Sequence, residues 1–180
     1  MPKYQKNNFF ILTGAMGAGK STILKEIKDI ICINEPARQI LSEQRLIDGN
    51  GVPEKDSSLF TELLLSRSIY EYKQLLKTQE FIIFDRGIPD NIGYAELFKL
   101  DTTHYINAAK EFRFNKLVFF LPAWEEIYEN DEERKMSFED ANQFGDNIKI
   151  TYQNLGYDVV DVPFDTPTLR TNFILQKINN

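Results

Sequence analysis

The 180-residue chain is predicted to fold as one α/β domain around a parallel sheet, and two observations carry the prediction. Five apolar runs rich in Phe, Ile and Val, at 8–13, 30–34, 80–85, 116–121 and 157–162, are nearly uninterrupted. Such runs suit strands buried on both faces, as in a parallel sheet covered by helices. The stretches between them instead repeat their apolar residues at helical spacing. In chain order, 21–29 places Ile23, Leu24, Ile27 and Ile30 on one stripe, and 57–77 extends the same pattern. The tract 90–111 reads as one or two helices, with Asp90 and Asp101 as N-caps. Ser137, with Asp140 three residues on, opens a helix to 155, and Thr166-Pro167 starts a terminal helix reaching about Ile178.

Composition narrows the partners. A net charge of −6 argues against nucleic acid as the main partner, since phosphate-backbone binders usually present a basic face. The single cysteine, Cys32, sits in the run IICI and is read as core packing in a reducing compartment. No run approaches the roughly 18 apolar residues of a membrane span. A cytoplasmic protein without a membrane partner is expected. Among the aromatic and titratable residues, His104 reads as a surface or helix residue and Trp124 as packing.

The chemistry is concentrated in GAMGAGKS, which follows the first strand and opens the first helix. It fits G-x-x-x-x-G-K-[ST] in the strand-to-helix setting that a phosphate cradle needs. The backbone of Gly14, Ala15, Met16, Gly17, Ala18 and Gly19 is expected to wrap the nucleotide phosphates, with Thr22 just beyond. Lys20 would reach the terminal phosphates, and Ser21 would ligate Mg²⁺. Asp85, leaving the third strand in FIIFDRG, supplies the second metal-side oxygen, and Arg86 a phosphate-side cation. The second strand ends in NEPAR, where proline stops the strand and leaves Glu35 at the same edge, with Arg38 one helical turn on.

With these pieces in place the chain resembles the P-loop nucleoside and nucleotide kinases, especially thymidylate kinase and the deoxynucleoside kinases. It is similar, over nearly its whole length, to small bacterial P-loop ATPases of the AAA type whose domain is like nicotinamide riboside kinase. The residues that carry the resemblance are Glu35-Pro36, FTELLLSR, Asp85-Arg86, NDEERKMSFEDA, GYDVVDVP and the closing Arg170, Phe173, Ile174 and Leu175. The resemblance implies a three-layer P-loop NTPase fold with strand order 2-3-1-4-5. It also implies an acceptor pocket holding Arg67, a lid at 124–137 from which Arg134 closes, and a loop from Pro163 through Asp165 beside adenine.

The expected protein is therefore a single domain over 1–180 that binds Mg·ATP. Lys20, Glu35, Asp85, Arg86 and Arg134 form its catalytic set, Ser21 and Asp85 hold the metal, and Glu35, Arg38, Arg67 and Arg86 ring a small-molecule acceptor. No Asn-Lys-x-Asp base-reading motif is present, and GTP stays open beside ATP. Two classes of function fit. One is a kinase acting on a nucleoside, a nucleotide or another anionic metabolite; the other is an ATP- or GTP-hydrolysing switch that acts through a protein partner. The chain's length leaves little room for the helical subdomain of an oligomeric AAA-type motor, and the sequence does not address oligomeric state.

Overall fold

The computed structural model describes residues 1–128 and 136–179. Five strands, β2 (Phe9–Gly14), β3 (Ile31–Ile33), β4 (Ile82–Asp85), β6 (Leu117–Leu121) and β7 (Asp158–Asp161), form one parallel sheet in the order β3-β4-β2-β6-β7. In terms of the five predicted runs this is the order 2-3-1-4-5. Two further short strands, β1 (Tyr4–Gln5) and β5 (Phe112–Arg113), pair with each other in parallel outside the main sheet. Neither has enough apolar sequence to announce itself.

Alternation along the strands divides the core into two layers. Phe9, Ile11, Ile82, Phe84, Val118 and Phe120 face one side. There they meet α2 (Pro36–Leu46), α3 (Pro53–Gln74), α4 (Asp90–Leu97), α5 (Thr103–Glu111) and α6 (Phe138–Asn154). Phe10, Leu12, Ile83, Phe119 and Leu121 face the other side and are covered by α1 (Lys20–Glu26) and α7 (Pro167–Asn179). Every residue of β2 is buried, the expected condition of a central strand sandwiched between helical layers. No helix among the described residues is long and apolar enough to cross a membrane.

Two of the four predicted caps hold. The Ser137 hydroxyl accepts the Asp140 amide at 3.0 Å, and Thr166 accepts the Leu169 amide ahead of Pro167. Asp56 is extended (φ −151°) and accepts the Leu59 amide, so the regular part of α3 starts at Ser57 as the spacing predicts. The 90–111 tract divides into two helices, but the predicted caps shift. Thr102 caps α5 while Asp101 takes the Thr103 amide and hydroxyl. Pro89 occupies the cap position of α4, and Asp90 lies inside the helix, 1 % exposed, with its carboxylate turned into the core.

Candidate active site

The carboxyl ends of β2, β3 and β4 open into a cavity of about 1220 Å³. Such a volume exceeds the roughly 300–1000 Å³ of pockets built for one small ligand, which leaves room for more than one. At one end lies the loop between β2 and α1. Gly14 (φ 137°) runs so close to β6 that a Cβ there would overlap the Leu121 carbonyl, and the Ala15 amide is bound to that carbonyl at 3.0 Å. Gly19 (φ 88°) takes the left-handed conformation that starts α1. Met16, Gly17, Ala18, Gly19, Lys20 and Ser21 line the cavity, with Thr22 beside them. Gly14 and Ala15 form the base of the loop and stand behind that lining.

Lys20 is 7 % exposed, and its Nζ donates to the Ala15 carbonyl at 2.8 Å across the loop. Burial, followed by the charge of Arg86, lowers its pKa to about 8. Asp85 is 6 % exposed, and its Oδ1 is buried without a hydrogen-bond partner among the described residues. Burial, then the Glu35 carboxylate, pushes its pKa up to about 6. A buried carboxylate oxygen left unpaired is costly unless something supplies the partner. Asp85 and the Ser21 hydroxyl both line the cavity. This donor set suits Mg²⁺, which keeps most of its ligands as water and phosphate and asks for only one or two from the protein. Among the described residues no cluster of three His, Cys, Asp or Glu could hold a metal alone. An ion arriving with a nucleotide is what these residues fit.

The other end is built on Arg86, which follows β4 in the left-handed region (φ 66°), a strained conformation for a non-glycine residue. Its guanidinium meets Glu35 at 2.9 Å through Nε and Asp90 at 2.9 Å through Nη1, with Thr13 at 3.4 Å. Asp90 in turn accepts from the Thr13 hydroxyl at 2.5 Å, the Gly87 amide at 2.8 Å and the Tyr152 hydroxyl at 2.5 Å. The Tyr94 hydroxyl donates to Glu35 at 2.7 Å. Burial alone would raise the Glu35 carboxyl; Arg86, Lys20 and Tyr94 together hold it below the ordinary carboxylate range. Phe60, Phe98 and Phe144 add aromatic walls, and Arg38 lies on the rim.

Sequence reasoning and structure differ at several positions. Arg67 stands outside the cavity lining, ion-paired with Glu43 of α2 at 3.0 Å. It shares a helical face with Phe60, which does line the cavity, but lies seven residues farther, a rise of about 10 Å. Asp165 lines the cavity, whereas Pro163 does not. Arg134 and the middle of the predicted lid fall outside the described residues. Thr13, Asp90, Tyr94 and Tyr152 had no predicted role at the site. Only the four-residue spacing of Asp90 and Tyr94, one helical turn apart in Asp-Arg-x-x-x-Asp-x-x-x-Tyr, could have hinted at those two, and nothing local points to Thr13 or Tyr152.

A parallel five-stranded sheet of order 2-3-1-4-5, with a glycine-rich phosphate loop leaving its central strand, defines a P-loop NTPase of nucleotide-kinase-like fold. The chain belongs to the AAA domain family, whose model matches residues 9–169. Among solved structures it is similar to deoxyadenosine kinase from M. mycoides with the products dCMP and a flexible dCDP bound. That likeness has TM-score 0.70 and 22% identity, covering 95% of this chain and 98% of the other. NadR protein in complex with NR matches at TM-score 0.71 and 16% identity, over 98% of this chain but 51% of NadR, so the chain spans about half of that protein. Thymidylate kinase from Candida albicans matches at TM-score 0.65 and 21% identity, over 97% and 92%. At these identities the likeness concerns the fold. No curated protein matches the chain significantly.

Proposed function

We propose that the protein is a kinase that transfers the γ-phosphoryl group of Mg·ATP to a hydroxyl of a small acceptor carrying an aromatic ring, a nucleoside being the prime candidate. The carrying observation is the Glu35 carboxylate, held on the cavity wall by Arg86 at 2.9 Å and Tyr94 at 2.7 Å. A carboxylate kept ionised and oriented there can accept the proton of an attacking hydroxyl. The aromatic walls favour a flat ring. A phosphorylated acceptor is less well served, because Arg86 already faces the carboxylates of Glu35 and Asp90 and Arg67 lies outside the cavity lining. The bound dCMP of one structural neighbour and the NR of another agree with an acceptor end built for a base-like ring.

In this reading Lys20 and the loop amides neutralise the phosphates, while Ser21 and Asp85 hold Mg²⁺. The metal, when bound, screens phosphate charge as the transferring group leaves. Arg86 stays fixed by Asp90 and orients Glu35, and phosphoryl transfer asks little more of a protein than such positioning and charge stabilisation. Arg134 is a candidate for a further cation over the phosphates. The test is γ-labelled ATP incubated with a panel of nucleosides and nucleotides. Label should pass to a nucleoside hydroxyl, and Glu35→Gln should cut kcat by about 10²–10⁴. Label released only as inorganic phosphate, with Glu35→Gln indistinguishable from wild type, would instead support a hydrolysing switch.

A further inference from the structure

Arg170, in the first turn of α7, has no part in the reading above, yet its side chain lines the same cavity while only 2 % exposed. Its Nη1 donates to the Ala18 carbonyl of the phosphate loop at 3.2 Å, and the same nitrogen lies 3.2 Å from the point where a Cβ on Gly19 would sit. Trp124 covers the guanidinium, ring centre to carbon 5.4 Å. Nε and Nη2 are buried and have no hydrogen-bond partner among the described residues. Among the described residues no carboxylate pairs with it, and burial pushes its pKa below the ordinary arginine value.

A buried cation bonded to one neutral carbonyl destabilises the fold that contains it. The contrast with Arg86, equally buried but ion-paired to Glu35 and Asp90, shows that this fold can supply counter-charges where it needs them. The two unpaired atoms also form one edge of the guanidinium, on which Nε–H and Nη2–H run parallel and match two oxygens of a phosphate. The third nitrogen is tied to the loop whose backbone cradles α- and β-phosphates.

We propose that Arg170 is a phosphate-binding residue that closes from the C-terminal helix onto the α- or β-phosphate of the bound nucleotide. The proposal rests on the nucleotide reading of GAMGAGKS and adds to it a second cation, placed nearer the sugar than Lys20. Both free nitrogens are screened from solvent, so the fork reaches the anion by a side-chain rotation at the cavity wall.

Calorimetric titration of wild type, Arg170→Met, Arg170→Lys and Lys20→Ala with Mg·ADP and a non-hydrolysable Mg·ATP analogue tests it, together with the melting temperature of each ligand-free protein. Arg170→Met should weaken both nucleotides alike, by about tenfold or more, while its ligand-free melting temperature holds or rises because an uncompensated buried charge is gone. Arg170→Lys, which keeps charge without the fork, should fall between. Lys20→Ala should weaken the triphosphate more than the diphosphate. A lower ligand-free melting temperature for Arg170→Met, with both affinities within about twofold of wild type, would make Arg170 a structural prop and overturn the proposal. Should Arg170→Met fail to fold, unchanged affinities in Arg170→Lys overturn it equally. Wild type binding neither nucleotide removes the underlying reading as well, a result recognisable because it does not depend on Arg170.

Discussion

At the acceptor end of the cavity Asp90 receives four donors and Arg86 touches two carboxylates. At the phosphate end, among the described residues, Asp85 Oδ1 and the Nε and Nη2 of Arg170 have no hydrogen-bond partner, and Lys20 bonds to one backbone carbonyl. Both ends bury charge, but among the described residues only the acceptor end sets carboxylates directly against its buried guanidinium. A satisfied network holds its members in one geometry before any substrate arrives, which suits groups that must aim at a reacting hydroxyl. Groups left incomplete have a deficit that, in the proposed function, an anion and its cation would relieve, turning instability into affinity.

Disrupting the complete end should show first in stability. Asp90→Asn removes a counter-charge from buried Arg86 and should cost about 3–5 kcal/mol in urea denaturation; an unchanged midpoint would mean the network does not hold the site. Next in size is Lys20→Ala, which should lower turnover by about 10²–10³ with little loss of ligand-free stability. Steady-state kinetics and a melting curve on the same preparation check the two halves of that statement.

Asp85→Asn should behave oppositely to Asp90→Asn. It removes a charge that burial penalises, so ligand-free stability should rise by about 1–2 kcal/mol while the Mg²⁺-dependent gain in nucleotide affinity disappears. The pH dependence follows from the same shift. With a folded pKa of about 6 against an ordinary 3.8, the folded state holds the extra proton between these values. Ligand-free stability should then decline as pH rises from about 4 to 6, and Asp85→Asn should flatten that slope. Mg·nucleotide affinity should fall as pH drops through about 6, because the metal needs the ionised carboxylate. Titrations at several pH values in parallel with denaturation would separate the two trends. The smallest effect belongs to Arg67→Ala. Its partly exposed pair with Glu43 should contribute less than about 1 kcal/mol, and acceptor KM should not move. A large rise in KM would return Arg67 to the acceptor pocket.

The difference between the two ends is also a difference in what could be read in advance. GAMGAGKS and the caps at Ser137 and Thr166 were legible because each acts through its own backbone or near neighbours, within one turn or helical step, while Asp85 and Glu35 were placed at the sheet edge by the strands that lead to them. The five strands were legible because burial on both faces forces continuous apolar sequence. Asp90 was misread as a cap because its defining partners, Thr13 and Tyr152, lie on other elements 77 and 62 residues away. Arg67 was expected at the acceptor from the resemblance alone; in the structure it shares a helical face with Phe60 but sits outside the cavity lining, since packing decides which turn of a helix meets the cavity. Arg170 could be quoted from the chain without a task, because the lack of a carboxylate beside it among the described residues depends on the packing of distant elements. The sequence by itself thus determined the strands, the phosphate loop and the edge of the sheet where ligands gather, all set by local periodicity and backbone geometry. Only the tertiary structure decided which buried charges are paired, because pairing depends on side chains brought together from distant parts of the chain, and desolvation makes a buried charge left without a partner costly.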